Sequence, residues 1–382
     1  MAFPIPRTLF EPEHEQFRES LGRFLEAEVL PNLGRYEAQG FIDREVWRKG
    51  GAAGFLCPTM PEEYGGAGAD RRYSVVVFEE TARRGAVGLL GWSLHSDIVA
   101  PYLLHYGAEE VKRAWLPRMA TGEAIGAIAM TEPGAGSDLQ SIATRAVRDG
   151  DHYRLSGSKT FITNGWHCDL VVVAAKTDPA QGARGTSLFV VDTASPGFTK
   201  GRPLEKVGLK AQDTAELFMD DVRVPAANRL GEEGRGFACL MQELPWERLQ
   251  IAITAVALAE GVLEETIAYC RDRKAFGKPL LEFQNTRFAL AEAKTELQAA
   301  RVFVDRCIEL VLAGTLDAAT ASMAKYWCSD LQCKVIDACV QLHGGNGYMR
   351  EYAVARAWAD ARASRIYGGT NEIMKEPSSR SL

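Results

Sequence analysis

His152-Tyr-Arg-Leu-Ser-Gly-Ser-Lys-Thr-Phe-Ile-Thr-Asn-Gly165 is the segment at which the chain changes period. Tyr153 and Leu155, then Phe161 and Thr163, stand at every second position, the repeat of a half-buried strand. Asn164-Gly165 is a strong turn signal. The apolar run Leu170 to Ala175 and the segments Thr186 to Val191 and Ala215 to Met219 complete a set of short strands between about Ala124 and Leu230. Strands without intervening helices predict an antiparallel sandwich or barrel. On either side the period is helical. Phe17, Leu21, Phe24, Leu25 and Val29 recur at three- and four-residue spacing, with Pro31 expected to end that run. Cys57 to Gly68, rich in proline and glycine, reads as a loop. Leu249 to Arg273, Gln284 to Ala313 and Asp317 to Leu342 predict three long helices of a bundle. The fold class is therefore α+β: an N-terminal helical domain (1–123), a middle β domain (124–232) and a C-terminal four-helix bundle (233–382).

A chain of 382 residues suits two or three domains, and 46% hydrophobic with 25% charged residues is a globular composition. A net charge of −6 argues against nucleic acid as the main partner, though a local basic patch can still hold a phosphorylated ligand. The longest apolar candidate, Ile251 to Leu263, is interrupted by Thr254 and Glu260 and reads as a buried helix rather than a membrane span. Met1-Ala-Phe-Pro4 lacks a leader pattern, and Arg380-Ser-Leu382 differs from the Ser-Lys-Leu peroxisomal address. The expected location is cytoplasmic. Eight scattered cysteines, none in Cys-x-x-Cys, predict reduced core thiols. Six histidines without ligand spacing predict no metal.

Common motifs fail. No Gly-x-Gly-x-x-Gly joins a strand to a helix, and no phosphate loop ends in Gly-Lys-Ser/Thr. Ser156-Gly-Ser-Lys159 matches Ser-x-x-Lys, but it reads as hairpin and has no partner motifs. What remains is a series of polar, glycine-bearing segments. Ala129-Met-Thr-Glu-Pro-Gly-Ala-Gly-Ser-Asp138 frees its backbone at Gly134 and Gly136 and offers the hydroxyls of Thr131 and Ser137. In Lys159-Thr-Phe-Ile-Thr-Asn-Gly165 an aromatic ring and a hydroxyl share one strand face. Arg271-Asp-Arg-Lys-Ala-Phe-Gly-Lys-Pro279 closes a long helix, and Gln341-Leu-His-Gly-Gly-Asn-Gly-Tyr348 breaks another. Singly, these read as a surface turn, sheet packing and two helix caps.

In this order and spacing the segments resemble the acyl-CoA dehydrogenase family, over nearly the whole chain from about Phe10 to Glu376. The match also takes in Asp221-Val-Arg-Val-Pro225 with Asn228 and Leu230-Gly231, and Ile366-Tyr-Gly-Gly-Thr-Asn-Glu-Ile373. The resemblance implies FAD as cofactor, with Met130, Thr131, Gly136 and Ser137 at the flavin and its pyrophosphate. It implies Phe161 against the isoalloxazine and Thr163 near its N5. It further implies that Arg273, Phe276, Gln341, Gly344, Gly345, Thr370 and Glu372 help hold the FAD, some reaching a neighbouring subunit's. An acyl-CoA substrate, an electron-transferring flavoprotein as acceptor and a homotetramer built as a dimer of dimers belong to the same expectation.

The reaction implied removes the α-proton to a carboxylate and the β-hydrogen as hydride. Many members carry that base as the Glu of Ile-Tyr-Glu-Gly-Thr, where this chain has Ile366-Tyr-Gly368-Gly-Thr370. A minority, the isovaleryl and mammalian long-chain types, carry it on a C-terminal helix. Gln242-Glu-Leu-Pro-Trp-Glu-Arg-Leu-Gln250 resembles the long-chain type and puts Glu247 at the base position. Gly368 keeps a backbone N–H for the thioester carbonyl, and Arg248 would orient the site. Glu243 is the internal competitor if the helix continues through Pro245. Pro377, where relatives continue a helix, is expected to disturb the last turn. Two other readings stand beside this one: an acyl-CoA oxidase using O2, disfavoured by a length that lacks an extra domain, and a non-catalytic flavin-binding homologue.

Overall fold

The computed structural model describes residues 5–380. Met1 to Pro4 and Ser381-Leu382, on which the leader and peroxisomal readings partly rest, lie outside the described residues. The N-terminal part is helical: α1 (Pro12–Phe24), α2 (Leu33–Gln39), α3 (Arg44–Ala52), α4 (Arg71–Arg83), α5 (Leu90–Leu94), α6 (Ala100–Tyr106) and α7 (Glu109–Ala120). Pro31 does not end the first run. α1 passes into a π-helical turn, Leu25–Val29, and a 3-10 turn, Leu30–Asn32, which holds Pro31 before α2 begins. A proline near the start of a turn gives up an N–H that has no intrahelical partner anyway. A second π-helical turn, His95–Val99, joins α5 to α6 and sets the direction of the side chains after it.

The middle part is one eight-stranded sheet of β1 (Gly126–Ala129), β2 (Arg145–Asp149), β3 (His152–Thr163), β4 (Leu170–Lys176), β5 (Thr186–Asp192), β6 (Phe198–Lys200), β7 (Thr214–Pro225) and β8 (Arg229–Leu230). Its order is β6-β7-β3-β2-β4-β5-β8, with β1 beside β4. The sheet is mixed rather than purely antiparallel, because β1 and the start of β2, at Arg145, both run parallel to β4. β4 is buried along its whole length, which explains an apolar run without alternation. The turn at Asn164-Gly165 is not a hairpin: β3 pairs with β2 and β7, not with β4. Asn164 is instead buried, donating to the carbonyls of Gly91 and Gly126 and accepting from Gln212.

The alternation read along β3 is broken by two register shifts against β7. Leu155 pairs with Val222 but Gly157 with Met219, an extra residue on β7. Lys159 then pairs with Leu217 but Ile162 with Ala215, an extra residue on β3. After this second bulge it is Ile162 that is buried, while Phe161, at φ 59°, stands 68% exposed. A bulge re-aims a side chain at the cost of a left-handed residue, and here that residue is an aromatic.

The C-terminal part contains α8 (Gly236–Asp272), a small hairpin of β9 (Lys274–Ala275) and β10 (Lys278–Pro279), α9 (Gln284–Leu312), α10 (Ala318–His343), α11 (Ala353–Ala361) and α12 (Asn371–Ser379). The long helices match the predicted spans, except that α8 begins well before Leu249 and runs unbroken through Pro245. Trp246, Glu247, Leu249 and Gln250 are buried just beyond it, so packing outweighs one lost backbone bond. Likewise α12 continues through Pro377, pinned by fully buried Met374. α4 packs against α8 and α9 through a buried charge cluster in which Arg301 joins Glu79 and Glu260, and Arg7 joins Glu79 and Asp305. The cysteines are free thiols, as expected. No helix among the described residues is long and apolar enough to cross a membrane.

Candidate active site

Between the sheet and the C-terminal bundle lies a cavity of about 340 Å³. Glu247 enters it from α8, Phe161 and Thr163 from β3, Met130 from the loop after β1, and Gly368 from the loop before α12. These residues come from four segments far apart in sequence, and the fold brings them to one place. Leu90, Leu94, Ile98, Ile128, Ile251 and Ile366 supply an apolar wall.

Glu247 is 8% exposed, and its Oε1 accepts a hydrogen bond of 2.9 Å from the Tyr102 hydroxyl. Burial pushes its carboxyl up to about 7, reinforced by the negative charge of Glu243 and opposed by the Tyr102 bond and Arg248. Glu243, one turn earlier on the same face, has the opposite environment. It accepts from His105 Nδ1 and the Tyr106 hydroxyl, both at 2.8 Å. Burial alone would raise its pKa, but those bonds and the charges of His105 and Arg71 hold it below the usual carboxylate range. Glu243 does not line the cavity.

Arg248 points the other way, into α10, where Nη1 donates to Ser322 Oγ at 3.1 Å and Nε is buried without a partner. Ser322 lies one turn before Lys325, which is fully buried and donates to the Gly369 carbonyl at 2.7 Å and to Asn371 Oδ1 at 2.8 Å. Asn371 also donates to Ser329 and Asp330, so the 368–371 loop is tied down to α10. Gly368 has φ 66°, and a Cβ there would stand 2.4 Å from Ile251 Cδ1. Thr370 caps α12 by accepting from the Ile373 N–H, and Glu372 lies exposed in its first turn.

The loop after β1 is fixed by a buried pair. Lys159 Nζ donates to the Met130 carbonyl at 3.0 Å and to Glu132 Oε1 at 2.8 Å, while Glu132 accepts from the N–H groups of Ala143 and Thr144. Thr131, Gly136 and Ser137 are thereby presented on the outside of the loop, and a Cβ at Gly136 would meet nothing. The remaining sequence-predicted residues lie elsewhere. Arg273 ends α8, Phe276 tips the β9–β10 hairpin at 96% exposure, and exposed Gln341, Gly344 and Gly345 end α10. Tyr269, stacked on His343 and bonded by Asn346, holds those two helix ends together. One chain therefore gathers its candidate residues in two groups, and none of the second lines the Glu247 cavity.

Sequence reading missed Tyr102, His105, Tyr106, Lys325 and the Glu132–Lys159 pair as site-building residues. For the pair a signal existed: Lys159 is the one charged residue of its motif, and the charged residues of the other, Glu132 and Asp138, are both of opposite sign. For Tyr102 none did, since it sits 145 residues from its partner.

A β domain thus lies between two helical domains, and a buried carboxylate of raised pKa and an outward-turned aromatic line one largely apolar cavity among them. Models of the acyl-CoA dehydrogenase N-terminal, middle and C-terminal domains match residues 11–123, 127–222 and 234–382 in order. The chain belongs to the acyl-CoA dehydrogenase family and is an oxidoreductase. It is 52% identical over 378 residues to the mitochondrial long-chain specific acyl-CoA dehydrogenase of Sus scrofa, covering 98% of this chain and 88% of that one. A crystal structure of an acyl-CoA dehydrogenase from Geobacillus kaustophilus superposes with TM-score 0.96 at 52% identity, covering 100% of both chains. A glutaryl-CoA dehydrogenase from Mycobacterium smegmatis in complex with FADH2 superposes with TM-score 0.90 at 30% identity, covering 98% of this chain and 95% of that one.

Proposed function

We propose that this enzyme introduces an α,β double bond into an acyl-CoA thioester, with Glu247 as the base that takes the α-proton. The observation that carries this reading is the Glu247 carboxyl, buried, raised to about 7 and facing the apolar cavity between Phe161, Thr163 and Gly368. A base of that strength is poised at neutral pH, where an ordinary carboxylate is too weak to hold the proton it removes. Negative charge develops on the thioester oxygen as the α-proton leaves, and the N–H of Gly368, on a loop tied down by Lys325 and Asn371, is the protein's donor for it. Arg248, bonded to Ser322, is a positioning residue for this end of α8 rather than a partner of substrate.

The residues present fit FAD: an aromatic forced outward by a bulge, a hydroxyl beside it and an open glycine loop. Met130, Thr131, Gly136, Ser137, Phe161 and Thr163 would hold its flavin half. When bound, FAD supplies the hydride acceptor for the β-hydrogen. Arg273, Phe276, Gln341, Gly344, Gly345, Thr370 and Glu372 would hold the rest, Phe276 by reaching a second copy of the chain, since its ring, edge-on to Phe283, is 96% exposed. Such sharing pairs two copies, and a homotetramer built as a dimer of such dimers is the assembly proposed. An electron-transferring flavoprotein is the acceptor consistent with the family. The test is anaerobic mixing of the purified protein with acyl-CoAs while flavin absorbance is followed. Wild type bleaches with some thioester, and Glu247→Gln binds FAD but stays oxidised. Normal bleaching by the variant would transfer the role to Glu243.

A further inference from the structure

The cavity at Glu247 does not stop at its visible floor. Beneath it is a neck of about 20 Å³, roughly the room of one water, lined by Leu90, Ser93, Ile251 and Thr254 of the cavity above. Beyond the neck is a second chamber of about 250 Å³, which shares Val87, Leu258 and Asp360 with it and whose rim carries charges of both signs, Arg83, Arg84, Lys210 and Arg356 with Glu37 and Glu265. One side chain, Leu209, lines all three spaces.

Leu209 is also conformationally unusual. It has φ 50°, which a leucine adopts only when its surroundings impose it. Two contacts do so. Gly208 lies so close to α11 that a Cβ there would be 2.4 Å from the Ala359 carbonyl, and the Leu209 N–H donates to the buried carboxyl of Asp360. With the backbone clamped on both sides, the isobutyl group is the movable part of the partition. Shortening it opens a passage instead of letting the wall collapse.

We propose that the cavity, neck and second chamber form one channel for an extended acyl chain, and that the Leu209 side chain sets the chain length at which the far end must pass from the first space to the second. The proposal rests on the acyl-CoA reading of the site and names its ligand class: unbranched long-chain acyl thioesters, whose distal carbons occupy the chamber between Val87 and Leu258. A branched or ring-bearing tail would be stopped at the neck.

The experiment measures kcat/KM of the FAD-loaded enzyme with octanoyl-, dodecanoyl-, hexadecanoyl- and eicosanoyl-CoA. In Leu209→Ala the eicosanoyl-to-octanoyl ratio rises at least about tenfold, the worth of relieving one poorly fitting methylene. Leu209→Gly, which also relieves the left-handed strain, gives the same direction and guards against a folding defect in the alanine variant. Adding Val262→Phe, which fills the chamber from a wall the neck does not share, returns the ratio toward wild type. A ratio that stays at the wild-type value in both Leu209 variants while octanoyl-CoA is oxidised overturns the channel and leaves the base assignment standing. A ratio raised by Leu209→Ala but indifferent to Val262→Phe overturns the second chamber as the tail's destination. Oxidation of no thioester by the wild type overturns both readings together.

Discussion

Replacing Tyr102 by Phe removes one hydroxyl from a fully buried ring and, with it, the hydrogen bond to Glu247 Oε1. The bond favours the ionised form of Glu247, so its loss raises the carboxyl's pKa further. A hydrogen bond to a charged acceptor contributes about 1.5–3 kcal/mol. At about 1.4 kcal/mol per pKa unit, that is a rise of about one to two units. From a starting point of about 7, the inflection moves to about 8–9. The sign for catalysis follows from the base role. Only the carboxylate accepts a proton, so the rate climbs as pH rises through the pKa, and the climb is displaced to the alkaline side. At neutral pH the ionised fraction falls from about half to about one-tenth or one-hundredth, a loss of about fivefold to fiftyfold in rate. The assay is the pH dependence of flavin reduction in single turnover, for wild type and Tyr102→Phe with the same acyl-CoA. Above the new inflection the variant should recover most of the wild-type rate, because the ring still fills its place. A variant slowed by the same factor at every pH, with its inflection unmoved, would show that Tyr102 only fills space and that the proposed tuning of Glu247 is wrong.

Lys159→Met leaves Glu132 buried and without its cation, which costs about 3–5 kcal/mol of stability and slackens the loop bearing Thr131 and Ser137. Denaturant melts should shift accordingly and FAD affinity should fall, and Glu132→Gln added to Lys159→Met should recover part of both losses; a single variant as stable as wild type refutes the role. Gly368→Ala puts a Cβ 2.4 Å from Ile251 and a side chain on a backbone at φ 66°, costing about 1–2 kcal/mol for the conformation alone. Acyl-CoA turnover should drop with it, and Ile251→Ala in the same chain should relieve the clash but not the backbone cost, which thermal melts of the single and double variants resolve.

The long helices were legible because their apolar repeat is local: Asp317, read as the start of the third, is its N-cap, accepting from the N–H groups of Ala319 and Thr320. The prolines misled for the converse reason. Pro245 and Pro377 carry a local penalty that no local feature offsets, and the burial of Trp246 and Met374 that does offset it is tertiary, whereas Pro31 falls at the start of a 3-10 turn that costs it no bond. Strand parity failed at Phe161 because a bulge depends on what the partner strand contributes, and β7 lies more than fifty residues on. Glu247 itself was legible only through resemblance together with a missing glutamate at 368. What sets its pKa, burial beside the cavity and the Tyr102 hydroxyl on α6, is written in segments with no motif of their own.

Glu243 and Glu247 show how little the residue type decides. They stand one turn apart on α8, both nearly buried, yet one is held acidic by His105 and Tyr106 while the other is raised to about 7 with a single phenol donor. The position of the proposed base is favoured in a second way, from across the cavity. Ile251, one turn after Glu247 on the same face, fills the space that any side chain at 368 would need, and the backbone at 368 and 369, φ 66° and 92°, lies where only glycine is comfortable. A carboxylate on the 368 loop would thus meet both a clash and a strained backbone, while one on α8 projects into the cavity from an unbroken helix. In the proposed reaction the glycine pair and the glutamate are two halves of one arrangement: the loop is cleared to present an N–H to the cavity, and the carboxylate stands on the helix facing it.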